Sequence, residues 1–158
     1  MVDVAQYEAV HQILGGTMVQ YFNQGVVRER TGNKSPTFQP FDAFRAADGW
    51  IVLGALGPIF GRVCRVFELD AEKCVEAATN VTSGSGLQFD AHLRGWIATR
   101  SVAEVVRAFN EARIPCSPVM TSADMAADPH YQARGVHTEW EDLQVGRVKG
   151  GHPRPSSR

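Results

Sequence analysis

The run FDAFRAADGWIVLGAL, residues 41–56, constrains the fold more than any other stretch of this chain. Two short β-prone apolar segments flank Ala47, Asp48 and Gly49. An Asp-Gly step between such segments signals a tight hairpin, because glycine tolerates the positive φ that the turn requires. Pro58 then stands where a first-turn helix proline belongs, and Phe60, Val63, Cys64 and Phe67 fall on one face of the helix it opens.

The remaining segments follow from periodicity and punctuation. Val4, Tyr7, Val10, Ile13, Leu14, Met18, Tyr21 and Phe22 recur at three- and four-residue steps. They predict one amphipathic helix of about five turns, with Gly15-Gly16 as the place for a kink. An apolar stripe that wide must bury against something, and a second domain is the natural cover. Residues 23–40 carry Asn23, Gly25, Gly32, Asn33, Pro36 and Pro40 and read as a long loop, a class usually functional or mobile. A short helix is expected around 71–78, a glycine-rich turn over NVTSGSG (80–86), and a helix carrying Leu87, Leu93, Trp96 and Ile97. Ser101 and Glu104 form a capping box ahead of Val105, Val106 and Phe109. Pro115 stops that helix near Arg113, and 114–120 must be extended. Ser122 is read as the cap of one helical turn, and Asp128-Pro129 opens another that Gly135 closes. Residues 136–140 and 146–149 flank a turn and predict a last hairpin. The sum is a mixed α+β fold, a small α/β domain of about five helices and two β-hairpins with a long N-terminal helix. Residues 1–24 read as a linker helix and 25–158 as the compact body.

A length of 158 residues suits one domain. With 44% hydrophobic and 21% charged residues and a formal net charge of −1, the composition is that of an ordinary globular protein. It carries no electrostatic footprint for nucleic acid or an anionic membrane; Arg28, Arg30 and Lys34 are the one tight basic group. Cys64, Cys74 and Cys116 read as reduced, mostly buried thiols of a cytoplasmic protein. The N-terminus lacks the pattern of a signal peptide, and no apolar run reaches the ~20 residues of a membrane span.

Residue by residue, the chemistry is sparse. Gly84 and Gly86 lack the Gly-Lys-Ser/Thr ending of a phosphate loop and read as a plain turn. Asn80-Val81-Thr82 matches a glycosylation acceptor without any sign of secretion. His92, His130, His137 and His152 are scattered, and no two cysteines lie close enough for a zinc motif, so no metal is expected. Cys116, between Pro115 and Pro118, is the one candidate nucleophile, though a small apolar residue packed on a strand is the favoured reading. Asp42, Asp48, Asp124 and Asp128 have turn or capping roles to fill, and His11 reads as a packed or edge histidine. No catalytic residue emerges, because no nucleophile is matched to a base.

Several runs nevertheless resemble one family. VDVAQYEAV is similar to the stretch that leaves the large domain of class III (CaiB/BaiF-type) CoA-transferases. Phe44, Asp48, Gly49 and Trp50 match that family's hairpin motif. Ile114, Pro115, Cys116, Pro118 and Val119, then Asp128, Pro129, Arg134 and Gly135, match a second. Gly146-Arg-Val-Lys and Gly151-His-Pro-Arg-Pro-Ser resemble the tail that follows. The pieces keep the family's order and rough spacing over nearly the whole chain.

The resemblance implies CoA transfer from an acyl-CoA to a carboxylic acid, through anhydride and thioester intermediates on an aspartate of a large Rossmann-like domain. It implies a coenzyme A thioester as substrate, no covalently bound cofactor, and an interlocked homodimer. That aspartate and the CoA-contacting loops precede the segment matched here; Asp3 corresponds to a later position. The small domain's contribution is a loop over the active-site entrance, which maps onto Gly32, Asn33, Lys34, Ser35, Pro36 and Thr37. Lys34 at its tip either attracts an acidic acyl group or the CoA phosphates, or is a solvated surface lysine. Three readings result: a fragment or subunit that needs a large-domain partner, a stand-alone self-associating or acyl/CoA-binding module, and, last, an enzyme using Cys116.

Overall fold

The computed structural model describes residues 4–72 and 74–151. Asp3, Lys73, His152 and the Pro153-to-Ser156 part of the tail motif lie outside them. The described residues form eight helices and five strands. The hairpin is present: β1 (Phe41–Arg45) pairs antiparallel with β2 (Trp50–Gly54), with Phe44 opposite Ile51. The extended run after Pro115 supplies β3 (Cys116–Pro118), which pairs with β2 and completes a three-stranded sheet in the order β1-β2-β3. Pro118 sits on an edge strand, where a missing N–H is tolerated.

Alternation along the sheet decides which face is covered. Phe44, Ile51 and Leu53 point inward and are buried, while Phe41, Trp50 and Val52 remain about half exposed on the other face. Helices pack on the inner face. They are α3 (Pro58–Val66), α4 (Val75–Thr79), α5 (Gly84–Ala98) and α6 (Val102–Glu111). Their four-residue steps deliver Phe60, Val63 and Cys64, then Phe89, Leu93 and Ile97, then Val105 and Phe109 to one core. Each such side chain contributes on the order of 1.5–3 kcal/mol of burial. Phe67, Trp96 and Phe109 add an aromatic cluster beside it, with Arg100 stacked 3.9 Å over the Trp96 ring.

Several helix ends match their sequence signals. The Ser101–Glu104 capping box is formed in both directions, and Asp128 accepts from the His130 and Tyr131 N–H groups at the head of α8 (Pro129–Ala133). Beyond the body, β4 (His137–Asp142) and β5 (Gly146–Gly151) make the last hairpin.

Five expectations are corrected. The N-terminal run is two helices, α1 (Gln6–Ile13) and α2 (Gly16–Gln24), broken where Gly15 takes a φ of 57°. The longest helix is instead α5, with 15 residues. NVTSGSG is a turn only over its first half: Val81 and Thr82 turn the chain, Ser83 caps α5, and Gly84, Ser85 and Gly86 are its first helical turn. The glycine at 86 is there for room, since a Cβ would lie 2.3 Å from the Asn80 carbonyl oxygen. Thr121, not Ser122, caps α7 (Ser122–Ala127), in a capping box with Asp124. Finally, Gly49 has no positive φ; a Cβ there would lie 2.9 Å from Val102 Cγ2, so the glycine serves close packing rather than turn conformation.

Neither α1 nor α2 buries a residue. Tyr7, Ile13 and Phe22 are 76%, 82% and 75% exposed, so the apolar stripe read from the sequence has no cover within the described residues. Exposed apolar surface on this scale marks an interaction site. No helix among the described residues is long and apolar enough to cross a membrane.

Candidate functional site

The segment that the sequence singles out, Gly32 to Thr37, leads out of α2 and into β1. Gly32 takes a φ of 66°, and the Thr31 hydroxyl donates to the Lys34 carbonyl oxygen at 2.8 Å, closing a small turn. The Ser35 N–H donates to the Phe41 carbonyl oxygen at 3.1 Å, which holds the turn beside the start of β1. Gly32, Asn33, Pro36 and Thr37 are exposed.

Lys34 is ion-paired within the chain rather than freely solvated. Its ammonium group lies 3.0 Å from Asp90 Oδ2, and its side chain is 28% exposed. Arg94, one turn further along α5, donates from Nε to the same Asp90 oxygen at 3.0 Å and from Nη2 to Asp42 Oδ2 on β1 at 2.5 Å. The guanidinium also sits 4.8 Å over the Phe44 ring. A chain of alternating charges, Lys34–Asp90–Arg94–Asp42, thus clips the loop to α5 and α5 to the sheet. Burial acts to raise the Asp90 carboxyl, but the hydrogen bonds and charges of Arg94 and Lys34 outweigh it and hold the group below its ordinary value. Burial likewise opposes charge on Arg94, and its two carboxylates prevail, raising it.

A second anchor holds the far end of the loop. Gln39 is 2% exposed, and its side-chain amide donates to the Ala77 and Gly86 carbonyl oxygens at 2.7 and 2.9 Å. Its N–H donates to the Ala78 carbonyl oxygen at 2.9 Å, and a cis Gln39–Pro40 bond follows. Between the loop and the outer sheet face lies a hollow of about 280 Å³ bordered by Asn33, Phe41, Ala43 and Val52. Its walls are mainly apolar, with the Asn33 amide at the rim.

The other sequence candidates lie apart from this loop. Cys116 is on β3, half-buried, and burial pushes its thiol up to about 11, so it is protonated at neutral pH and a poor nucleophile. Asp48 is more than a turn residue: it accepts the Val102 N–H at 2.7 Å. Asp124 completes the capping box with Thr121, and Asp128 caps α8. His11 is exposed on α1, and His92, His130 and His137 are spread over α5, α8 and β4. Among the described residues no group of three or more His, Cys, Asp or Glu side chains is placed to hold a metal ion. Sequence reading missed Gln39, Asp90 and Arg94. Asp90 and Arg94 were visible only as an i,i+4 helix pair, and their partners come from distant segments.

The model of CoA-transferase family III matches residues 1–156. The chain belongs to that family. Bile acid CoA-transferase BaiK of Clostridium scindens is 34% identical over 94% of this family III chain, which spans 36% of that relative. Succinyl-CoA:mesaconate CoA-transferase of Haloarcula hispanica is 30% identical over 87% of the chain, against 35% of its own length. Among solved structures, a CaiB/BaiF family protein from Brucella suis superposes with a TM-score of 0.68 at 20% identity, covering 99% of this chain and 41% of that one. Rv3272 from M. tuberculosis gives 0.69 at 20%, covering 99% and 40%. These structures share the fold. The family III chain therefore spans little more than a third of the curated relatives it matches.

Proposed function

We propose that this chain is the small-domain part of a class III CoA-transferase, and that moving CoA from an acyl-CoA to a carboxylic acid requires a large domain in addition to it. The observation that carries the reading is the uncovered apolar stripe of α1 and α2, in a chain that aligns over 94% of itself with only 36% of BaiK. Residues 1–24, which carry α1 and α2, then serve as the linker along which the large domain packs, and 25–158 as the body. The reaction begins with an aspartate of the large domain attacking the thioester carbonyl, which forms a mixed anhydride and releases CoA thiolate. The thiolate then attacks the aspartyl carbonyl, giving an enzyme thioester and freeing the first acid. The acceptor carboxylate and the returning thiolate repeat the two steps in reverse. Both intermediates hydrolyse if water reaches them, and excluding it is the part assigned to Gly32–Thr37.

The clipped loop supports that assignment. With Lys34 held by Asp90, the loop offers Gly32, Asn33 and backbone groups to an acyl-CoA. The relatives are named for unlike acids, bile acids in one case and mesaconate in the other, so the likeness supports the reaction class and names no acid for this chain. Three unpaired cysteines accord with a cytoplasmic location.

The test is to assay the 158-residue polypeptide alone for CoA transfer between an acyl-CoA and a carboxylate, followed by mass spectrometry for acyl or CoA adducts. No turnover and no adduct on any carboxylate is the expected result. Turnover or an adduct overturns the reading. The alternative, a self-associating module, draws on the same apolar stripe; sedimentation showing one closed dimer favours it, and a spread of sizes favours the domain awaiting its partner.

A further inference from the structure

The hollow beside the Gly32–Thr37 loop has walls that the sheet itself builds. Phe41, Ala43 and Val52 lie on the outer face, with Ala43 directly opposite Val52 in the β1–β2 register. Phe41 stands opposite Gly54, and a Cβ on that glycine would lie 3.2 Å from Phe41 Cδ2, so the ring leans over the space a side chain would fill. Phe38 meets the same ring edge-on, with centroids 5.2 Å apart. The ring is thus fixed as one wall, while the single methyl of Ala43 leaves the depression beside it. Phe41 and Val52 are 47% and 50% exposed, so their apolar surface is open to an occupant.

Charge decides what that occupant can be. Among the described residues, Asp42 is the only ionisable group bordering the hollow. Its Oδ1 accepts the Ala43 N–H at 2.7 Å, and its Oδ2 accepts from Arg94. The cations of the adjoining segments are held elsewhere: Lys34 by Asp90, Arg94 by Asp90 and Asp42, and Arg45 over the Trp50 ring at 5.7 Å. Neither Arg28 nor Arg30 borders the hollow. A carboxylate placed there would lose water, find no counter-ion and meet Asp42 as a like charge. Size sets a second limit. At about 280 Å³ the hollow lies just below the ~300–1,000 Å³ of sites that enclose drug-sized ligands, so a steroid skeleton exceeds it.

We propose that this hollow receives the acyl group of a short-chain, monocarboxylic acyl-CoA and excludes both dicarboxylic and steroidal ones. The inference rests on the chain being part of a class III CoA-transferase, with Gly32–Thr37 beside the bound acyl group. Phe41, Ala43 and Val52 then determine specificity. Phe41 and Val52 cover the hydrocarbon, Ala43 sets the depth, and Asp42 repels a second carboxylate. Asn33 supplies the one neutral polar side chain on the wall. Donor and acceptor acids occupy the same place in turn, so the restriction applies to both.

The test titrates the 158-residue polypeptide, with labelled methyl and side-chain amide groups, against butyryl-CoA, succinyl-CoA, cholyl-CoA and CoA, and follows NMR shifts. Butyryl-CoA at millimolar concentration should move the Ala43 and Val52 methyl and Asn33 amide resonances along a saturating curve, and CoA alone should not. Succinyl-CoA should need on the order of tenfold more for the same shift, and cholyl-CoA should leave these resonances in place. Ala43→Leu fills the depression and should abolish the butyryl response, with the Ile51 and Leu53 methyls of the core unmoved. Butyryl-CoA that leaves Ala43 and Val52 unshifted overturns the proposal. So do shifts that CoA alone reproduces, and succinyl-CoA or cholyl-CoA binding as well as butyryl-CoA. Should A43L fail to fold, the comparison of ligands on the unsubstituted chain decides by itself. The readout is binding, so a negative result removes the acyl site and leaves the transferase reading to its own turnover and adduct assay.

Discussion

Asp48 and Val102 stand 54 residues apart in sequence, yet the Asp48 carboxylate accepts the Val102 N–H at 2.7 Å. The hairpin turn is thereby docked on the first turn of α6, where an anion also meets the positive end of the helix dipole. The Ala47 N–H donates to the Arg100 carbonyl oxygen at 2.8 Å, and Gly49 brings its backbone against Val102 Cγ2. The Asp-Gly pair and the capping box are two halves of one joint.

That joint predicts a coupled pair of substitutions. G49A forces a methyl into Val102 and should cost about 1–3 kcal/mol of unfolding free energy. V102A opens the space, so the double variant should recover most of the loss in urea denaturation. Additive losses would show that the glycine matters for another reason.

The acid limb of the stability profile should depend on Asp90. Its folded-state value lies below the unfolded one, so the unfolded chain takes up the proton first as pH falls. The stability it contributes is therefore complete above about pH 4 and drains as pH drops through the lowered folded value. D90N should flatten this limb. At neutral pH it should cost about 1 kcal/mol, because Arg94 is 39% exposed and solvent screens the pair. Amide exchange at Ser35 should rise in the same variant as the clip on Lys34 is lost.

Two glycines in one helical turn should behave oppositely. G86A drives a Cβ to 2.3 Å from the Asn80 carbonyl oxygen, with Val81 backbone atoms also close, and should cost about 3 kcal/mol or prevent folding. G84A meets nothing within 4 Å and should raise stability by a few tenths to about 1 kcal/mol. Thermal melts of both variants read the difference directly.

The stripe on α1 and α2 should govern association rather than stability. Replacing Tyr7, Ile13 and Phe22 together with serine should leave the melting temperature of the body unchanged, since none of the three is buried. Sedimentation velocity should show a smaller mean mass. A lowered melting temperature would mean that these side chains cover the core.

Where neighbours in sequence settle the outcome, the sequence was legible. The β1–β2 hairpin, the Pro58 helix, the Ser101 capping box and the Asp128 cap all depend on residues within a few positions. The break at Gly15 was marked as a place for a kink, but whether the helix bends or stops there depends on what packs beside it. Residues 23–40 were legible as a loop, but the ion pair of Lys34 was not, because Asp90 lies 56 residues beyond it.

The pattern of apolar residues determined, without any coordinates, that one face of each element must be covered, and the family motifs came in a readable order. Only the folded chain decided that Gly49 and Gly86 are required for space and that Lys34 is paired with Asp90. The reason is physical. Burial propensity and backbone conformation are properties of short segments, whereas the distance between two side chains is set by every element packed between them.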